Sequence, residues 1–173
     1  GKQFLLGFFK IWPWTDSGKQ VTLLCELEEI LVLLGPDELK QSEGCAKMIF
    51  DHLARCLNSD HFQVEERTLF LWKNERLIES GCLSKAYARQ ILPLIYRPLY
   101  KHMTGHWNPT VKSEAQNVMD LYEGYCGVLY ESCKRSYERR EEEADLKRKK
   151  LDECWSAVAL SASMASPSIA VVN

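Results

Sequence analysis

The side chains in this sequence that could carry chemistry are two histidines and two pairs of glutamates. His102 and His106 are four residues apart, a spacing that would place two metal ligands on one helix face. Gly105 lies between them and no third ligand is close in sequence, which is more typical of hydrogen-bonding histidines at a turn. The neighbouring glutamates at 28–29 and 65–66 would diverge by about 100° on a helix, so neither pair can address one substrate. These residues predict turn and surface roles rather than an active site.

The cysteines and the sequence motifs give no further sign of catalysis. Seven cysteines contain no C-x-x-C pair, and their spacing matches no zinc-binding pattern. An odd number of cysteines with no spacing pattern typical of disulfides favours free, reduced thiols. The phosphate-binding loop, the dinucleotide fingerprint, the zinc-hydrolase helix and the nucleophile elbow are all missing from the sequence. We therefore predict no catalytic residue, no metal and no cofactor.

Charge and hydropathy exclude two further classes of partner. The 22 basic residues against 24 acidic ones give a net charge of −2, so no global positive field would attract nucleic acid. The longest apolar run, at 4–9, is too short for a membrane span, which needs about 20 residues. Reduced thiols favour a cytoplasmic or nuclear location. Because the chain starts at Gly1 within a helical pattern, we expect it to be part of a longer protein.

Apolar residues recur every three or four positions along most of the chain, and Gly and Pro fall mainly at the ends of these patterns. Ser17 and Gln20 resemble a capping box, and Asn108 followed by Pro109 marks another helix start. The predicted helices cover residues 2–12, 18–34, 37–57, 60–80, 85–101 and 109–155.

The helical pattern repeats. A shift of 45 residues superimposes 61–63 on 106–108 and 49–50 on 94–95, and helix pairs with this period are typical of HEAT and armadillo solenoids. The predicted fold is an all-α, HEAT- or armadillo-like α-solenoid fragment that ends in one long helix. Residues 1–155 would be the C-terminal portion of a longer solenoid, and the charge-free residues 156–173 a disordered tail.

The last predicted helix changes character at residue 134. Fifteen of the 20 residues from 134 to 153 are charged, with opposite charges four residues apart at 143 and 147 and at 145 and 149. A solvated helix extension is the simplest interpretation. A coiled-coil partner, or a nuclear-localisation or nucleic-acid role for the basic residues 147–150, are the alternatives.

Several motifs together strongly resemble the B-prime regulatory subunits of protein phosphatase 2A. They share order and spacing with that family, and the similarity covers about residues 5–155. The motifs are FKIWP at 9–13, ELEEIL at 26–31, FQVEERTL at 62–69, WKNE at 72–75, LP at 92–93 and HWN at 106–108.

This resemblance implies a non-catalytic regulatory subunit in a Ser/Thr phosphatase holoenzyme. It would bind the scaffold subunit and the catalytic subunit, which carries the metal, and would direct the enzyme to phosphoprotein substrates or adaptors. The chain resembles the C-terminal third of the family. The family's pocket for substrate motifs would then lie upstream of Gly1. The alternative is a helical-repeat adaptor or scaffold protein unrelated to phosphatase assembly.

Solenoids usually present the turns within their helix pairs along one ridge, and here these turns are 14–17, 59–63 and 104–108. Capping is the structural alternative for Asp60 and Asn108. The residues predicted to contact other proteins are Trp14, Asp60, His61, Gln63, Glu66, Arg67, His106, Trp107 and Asn108. The resemblance adds a possible docking face on the outside of the last helix, at Gln116, Met119 and Glu123, where two positions depart from the apolar residues of relatives.

Overall fold

The computed structural model describes residues 2–34, 39 and 44–165, and every regular element within them is helical, which confirms the all-α prediction. Within these residues, two short 3-10 helices, Phe70–Lys73 and Lys85–Tyr87, accompany seven α-helices. Most of the predicted segment 37–43 lies outside the described residues. The α-helices are α1 (Lys2–Lys10), α2 (Ser17–Leu33), α3 (Cys45–Cys56), α4 (Phe62–Leu69), α5 (Glu75–Glu79), α6 (Ala88–Gly105) and α7 (Pro109–Ala165).

The chain divides into two compact units, residues 1–134 and 135–173. In the first unit, each helix packs against the equivalent helix of the next repeat. The helices α1, α3 and α6 follow one another in contact, while α2 packs on α4 and α5. The first part of α7 joins the second layer, where the Tyr122 hydroxyl meets the Trp72 indole. This two-layer stacking is the arrangement of an α-solenoid.

Asp16, and not Ser17, caps the N-terminus of α2, so the predicted capping box is wrong. Its carboxylate accepts from the backbone N–H of Lys19 at 3.0 Å. Gln20, the other half of the predicted box, is buried and faces the preceding turn. Its amide accepts from Trp12 Nε1 at 3.3 Å and donates to the Trp14 carbonyl at 3.1 Å. The turn before α2 is therefore held by a buried amide.

The helix predicted over 60–80 is interrupted by the 3-10 helix Phe70–Lys73 and then by Asn74. Asn74 has an extended backbone and its side chain accepts from Arg76 N at 3.1 Å, so it caps α5. At the other end, a Cβ on Gly81 would stand 2.7 Å from the Cα of Leu77. Glycine is required there because the chain folds back closely on α5.

Asn108 caps α7, as predicted. Its side-chain oxygen accepts from Thr110 N at 2.8 Å, and a buried stripe follows at three- and four-residue spacing. Cys126 departs from helical geometry, with φ −158° and ψ 66°. The stripe consists of Val111, Ala115, Val118, Met119 and Tyr122.

The end of α7 differs from the prediction. The helix continues to Ala165, ten residues past the predicted end at 155, and residues 166–173 lie outside the described part. Alanine, leucine and methionine in this segment are good helix formers, and low charge alone does not stop a helix. No helix within the described residues is both long and apolar enough to cross a bilayer.

Candidate protein interface

The first two predicted turns lie side by side. Trp14, Asp60 and His61 line one pocket of about 450 Å³, together with Arg55. The Arg55 guanidinium lies 3.7 Å from the centre of the Trp14 ring, a cation–π contact. Trp14 remains 38% exposed. Sequence reasoning missed Arg55, which lies one helix away from the indole that it covers.

The second and third turns meet through aromatic side chains. Phe62 and Trp107 pack edge to face with ring centres 5.1 Å apart, and Trp107 stacks on His106 at 5.6 Å. Trp107 nevertheless keeps 73% of its surface exposed. Exposed indoles of this kind are enriched in protein interfaces. The three turns thus form one ridge within the first unit, which we call the turn ridge: residues 14–17, 59–63 and 104–108.

Beneath the turn ridge, Glu65 joins the two histidines that the sequence spacing singled out. Its carboxylate lies 3.0 Å from His106 Nε2 and 3.4 Å from His102 Nε2. Glu65 is 5% exposed, whereas the predicted contact residue Glu66 is only half-buried. The third group near the histidines therefore comes from another helix, 37 residues away from His102 along the chain, and sequence proximity could not reveal it.

The hydrogen bonds around the two imidazoles decide what this cluster can do. His102 Nε2 lies 2.7 Å from the Leu57 carbonyl, which only accepts, so this nitrogen carries a proton. His106 Nδ1 accepts from Asn108 N at 3.0 Å, which leaves the proton on Nε2, facing Glu65. Both nitrogens that face the carboxylate are thus donors. Two imidazoles and a carboxylate within 4.8 Å of one another are a set of groups that can bind a metal ion. In this arrangement the two Nε2 atoms that face the carboxylate carry protons, so they have no lone pair to donate to a metal.

Burial shifts the pKa of the carboxylate and the pKa of one imidazole of this cluster in opposite directions. It raises the pKa of Glu65, an effect that the nearby His106 opposes, and it lowers the pKa of His102. The cluster therefore ties α4 to the end of α6 through hydrogen bonds. It supports the turn ridge from below.

Three more of the predicted contact residues lie on the side of α4 that faces α2. Gln63, Glu66 and Arg67 line a small pocket with Gly18 and Val21 of α2. Arg67 is largely engaged within the chain, because its guanidinium pairs with Glu28 and donates to Cys25 Sγ at 3.1 Å. The side chain is 18% exposed, so it braces α4 against α2 more than it presents charge to a partner.

Glu28 is the acceptor that holds this brace together, and replacing it by alanine is expected to destabilise the first unit. Its carboxylate pairs with Arg67 and accepts from Asn74 Nδ2 at 2.6 Å, so one side chain links α2, α4 and the cap of α5. Removing it leaves a part-buried guanidinium without its charge partner. We expect a loss of about 1–3 kcal/mol in the free energy of unfolding, measured by urea denaturation.

The neighbouring residue supplies the control for that experiment. Glu29 is exposed on the same helix, and Glu29→Ala should change stability by less than about 0.5 kcal/mol. Equal losses for Glu28→Ala and Glu29→Ala would show that the brace contributes nothing specific.

The docking face predicted on the outside of the last helix is only partly exposed. Gln116 and Glu123 are exposed, and Gln116 donates to Asp120 at 2.6 Å. Met119 is completely buried, so its assignment to an outer face is wrong. It belongs to the stripe that also contains Val118 and Tyr122, because residues 118, 119 and 122 share one side of a helix.

Stacked helix pairs with a ridge of exposed turns define the class of protein: an α-solenoid. The Protein phosphatase 2A regulatory B subunit (B56 family) profile matches residues 1–162. The chain belongs to this family.

Individual relatives agree with this assignment. The chain is 37% identical over 160 residues to the B' epsilon isoform of the 57 kDa regulatory subunit of serine/threonine protein phosphatase 2A from Arabidopsis thaliana. It is 32% identical over 154 residues to the delta isoform of the human 56 kDa regulatory subunit. These alignments cover 88% and 89% of this chain, but only 31% and 25% of the relatives. The chain therefore spans between a quarter and a third of the length of these curated relatives.

Proposed function

We propose that this chain is part of a non-catalytic regulatory subunit of protein phosphatase 2A, and that its turn ridge contacts the other subunits of the holoenzyme. Family membership supports the regulatory role. The observation that carries the choice of surface is the continuous ridge, with Trp107 held on edge by Phe62 and still largely exposed. Large aromatic side chains of this kind contribute most of the binding energy in protein interfaces.

The partners in this proposal are the scaffold subunit and the catalytic subunit, with phosphoprotein substrates or adaptors bound through the complete protein. Its role would be to direct the phosphatase to its substrates and to a location in the cytoplasm, the nucleus or both. The catalytic metal would belong to the catalytic subunit, and this chain would need no cofactor. A helical-repeat adaptor unrelated to phosphatase assembly is not favoured, because the family match extends over residues 1–162.

A double substitution on the turn ridge tests the proposed surface. Asp60→Lys combined with Trp107→Ala should reduce co-purification of the chain with the scaffold and catalytic subunits at least about tenfold, because it reverses one charge and removes one exposed anchor. Both side chains have exposed surface, so the fold should persist. The measurement is quantitative pull-down with purified subunits, with circular dichroism as the check on folding.

A matched control makes the same two kinds of substitution elsewhere on the surface. Glu26→Lys combined with Val128→Ala reverses one exposed charge and truncates one apolar side chain that is 88% exposed. This variant should bind like the wild type. If the folded ridge variant binds as well as the control, the ridge is not the contact surface. If the wild-type chain itself does not bind, the proposed role fails for this part of the protein.

A further inference from the structure

The second unit carries an exposed apolar stripe that the proposed function does not use. Leu151, Trp155 and Val158 are 57%, 64% and 57% exposed. Tyr137, Ala144, Leu151 and Val158 are each seven residues apart, so all four lie on one side of α7. A seven-residue apolar repeat fills position a, one of the two positions by which helices pack along a shared seam in a coiled coil.

The other positions of this seam restrict how a partner helix can pack. In the heptad that places Leu151 at position a, position d is occupied by Arg140, Lys147 and Cys154. A parallel pair of identical helices would place Arg140 against Arg140 and Lys147 against Lys147, which is repulsive. An antiparallel pair places a residues opposite d residues instead. Arg140 then faces Leu151, Lys147 faces Ala144, and Cys154 faces Tyr137.

The charges that flank the seam match the same antiparallel register. The arrangement that places Leu151 opposite Arg140 also brings together e positions 141 and 148, and g positions 143 and 150. These pairs are Glu141 with Arg148 and Glu143 with Lys150, each opposite in charge. The twofold symmetry repeats both pairs, which makes four complementary pairs and no repulsive one at these positions. Flanking pairs of this kind determine which helices associate and in which orientation.

We propose that residues 137–158 of α7 bind a second copy of this chain as an antiparallel helix pair. Charge complementarity with its own reversed sequence, in the register that also avoids like charges in the seam, identifies the occupant as another copy. Arg148 pairs with Asp145 within its own helix, and on association it turns to Glu141 of the other copy. The interface lies outside the first unit, so it adds self-association to the proposed phosphatase role and does not compete with it.

The test is sedimentation equilibrium of the whole chain and of two charge-reversed variants, from micromolar to millimolar concentration. Glu141→Lys with Glu143→Lys makes every flanking pair positive, and Arg148→Glu with Lys150→Glu makes every flanking pair negative. Each variant alone should dimerise at least about tenfold more weakly than the wild type. An equimolar mixture of the two should form dimers again, because each repelling pair becomes an attractive one. Circular dichroism checks that both variants keep the wild-type helix content.

A control at positions that face away from the seam isolates the effect. Glu142→Lys with Lys149→Glu exchanges two charges at exposed f positions and should dimerise like the wild type. A wild-type chain that stays monomeric up to millimolar concentration would overturn the proposal. So would a mixture of the two charge-reversed variants that associates no better than each one alone.

Disulfide trapping tests the orientation separately. Tyr137→Cys places a thiol opposite Cys154 of the other copy in the antiparallel register, so mild oxidation should give a covalent dimer. Adding Cys154→Ser should abolish that dimer. A wild-type dimer that crosslinks through Cys154 to Cys154 would instead show parallel packing and would overturn the antiparallel pair.

Discussion

Replacing Tyr122 by alanine is expected to lower the free energy of unfolding of the first unit by about 3–5 kcal/mol. Tyr122 is fully buried, and its hydroxyl accepts from Trp72 Nε1 at 3.1 Å and donates to the Leu83 carbonyl at 3.5 Å. It joins α7 to the repeat before it. Truncation would leave a large cavity at that junction and a buried indole N–H without its acceptor. The measurement is urea denaturation followed by tryptophan fluorescence.

Tyr122→Phe separates packing from hydrogen bonding at the same position. It keeps the ring against Tyr125, whose centre is 5.8 Å away, and removes only the hydroxyl. We expect a loss of about 1–2 kcal/mol. A cost below about 1 kcal/mol for the alanine variant would show that α7 does not contribute to the core of the first unit.

The second large effect is a loss of stability in acid that depends on His52. This imidazole stacks on Phe9 at 4.1 Å and meets the edge of Trp12 at 4.1 Å. Within the described residues, its Nε2 is buried without a hydrogen-bond partner. Burial first, and then the positive charge of Arg55, lower the pKa of His52 from 6.5 to about 3. The folded protein therefore keeps this ring neutral under conditions in which the unfolded chain protonates it.

The sign and size of the effect follow from this difference in pKa. Below pH 6.5 the unfolded state binds one more proton at His52 than the folded state, so stability is complete above that pH and falls as the pH falls toward 3. Between pH 7 and pH 4 this one group should cost about 3 kcal/mol. The measurement is the free energy of unfolding from urea titrations at a series of pH values.

His52→Phe is the variant that isolates this contribution, because it keeps an aromatic ring beside Phe9 and cannot titrate. The difference in unfolding free energy between wild type and variant should depend on pH below 6.5, with a slope that corresponds to about one proton. His102, whose pKa is also lowered by burial, contributes in the same direction in both proteins and so drops out of the comparison. Equal pH dependence in wild type and variant would contradict the prediction.

Local patterns were sufficient to show that the chain is helical and to place one cap, but not to place every helix boundary. The spacing of apolar residues predicted the helical segments, and Asn108 followed by Pro109 correctly marked the start of α7. They failed at α2, where Ser17 and Asp16 both have the chemistry of a cap and Asp16 takes the role. The deciding factor is Gln20, whose amide is used by Trp12 and the turn and is therefore not free to complete a capping box.

The candidate interface was predictable as a set of turns but not as a surface. A repeat of 45 residues indicates which turns are equivalent, and in a solenoid equivalent turns lie side by side. That argument found Trp14, His61 and Trp107, but it could not distinguish Glu65 from Glu66. Adjacent helical residues point about 100° apart, and only the position of α6 decides which of the two is buried against the histidines.

The sequence by itself determined that this is an all-helical repeat protein, which turns are equivalent, and that its last helix changes from an apolar stripe to dense charge. These properties depend on residue type and spacing along one chain. Only the tertiary structure decided that Glu65 meets His102 and His106, that Glu28 braces Arg67, and that Met119 is buried. Each of these depends on how two helices distant in sequence are placed against each other. Packing between helices fixes that placement, and periodicity within one helix carries no information about it.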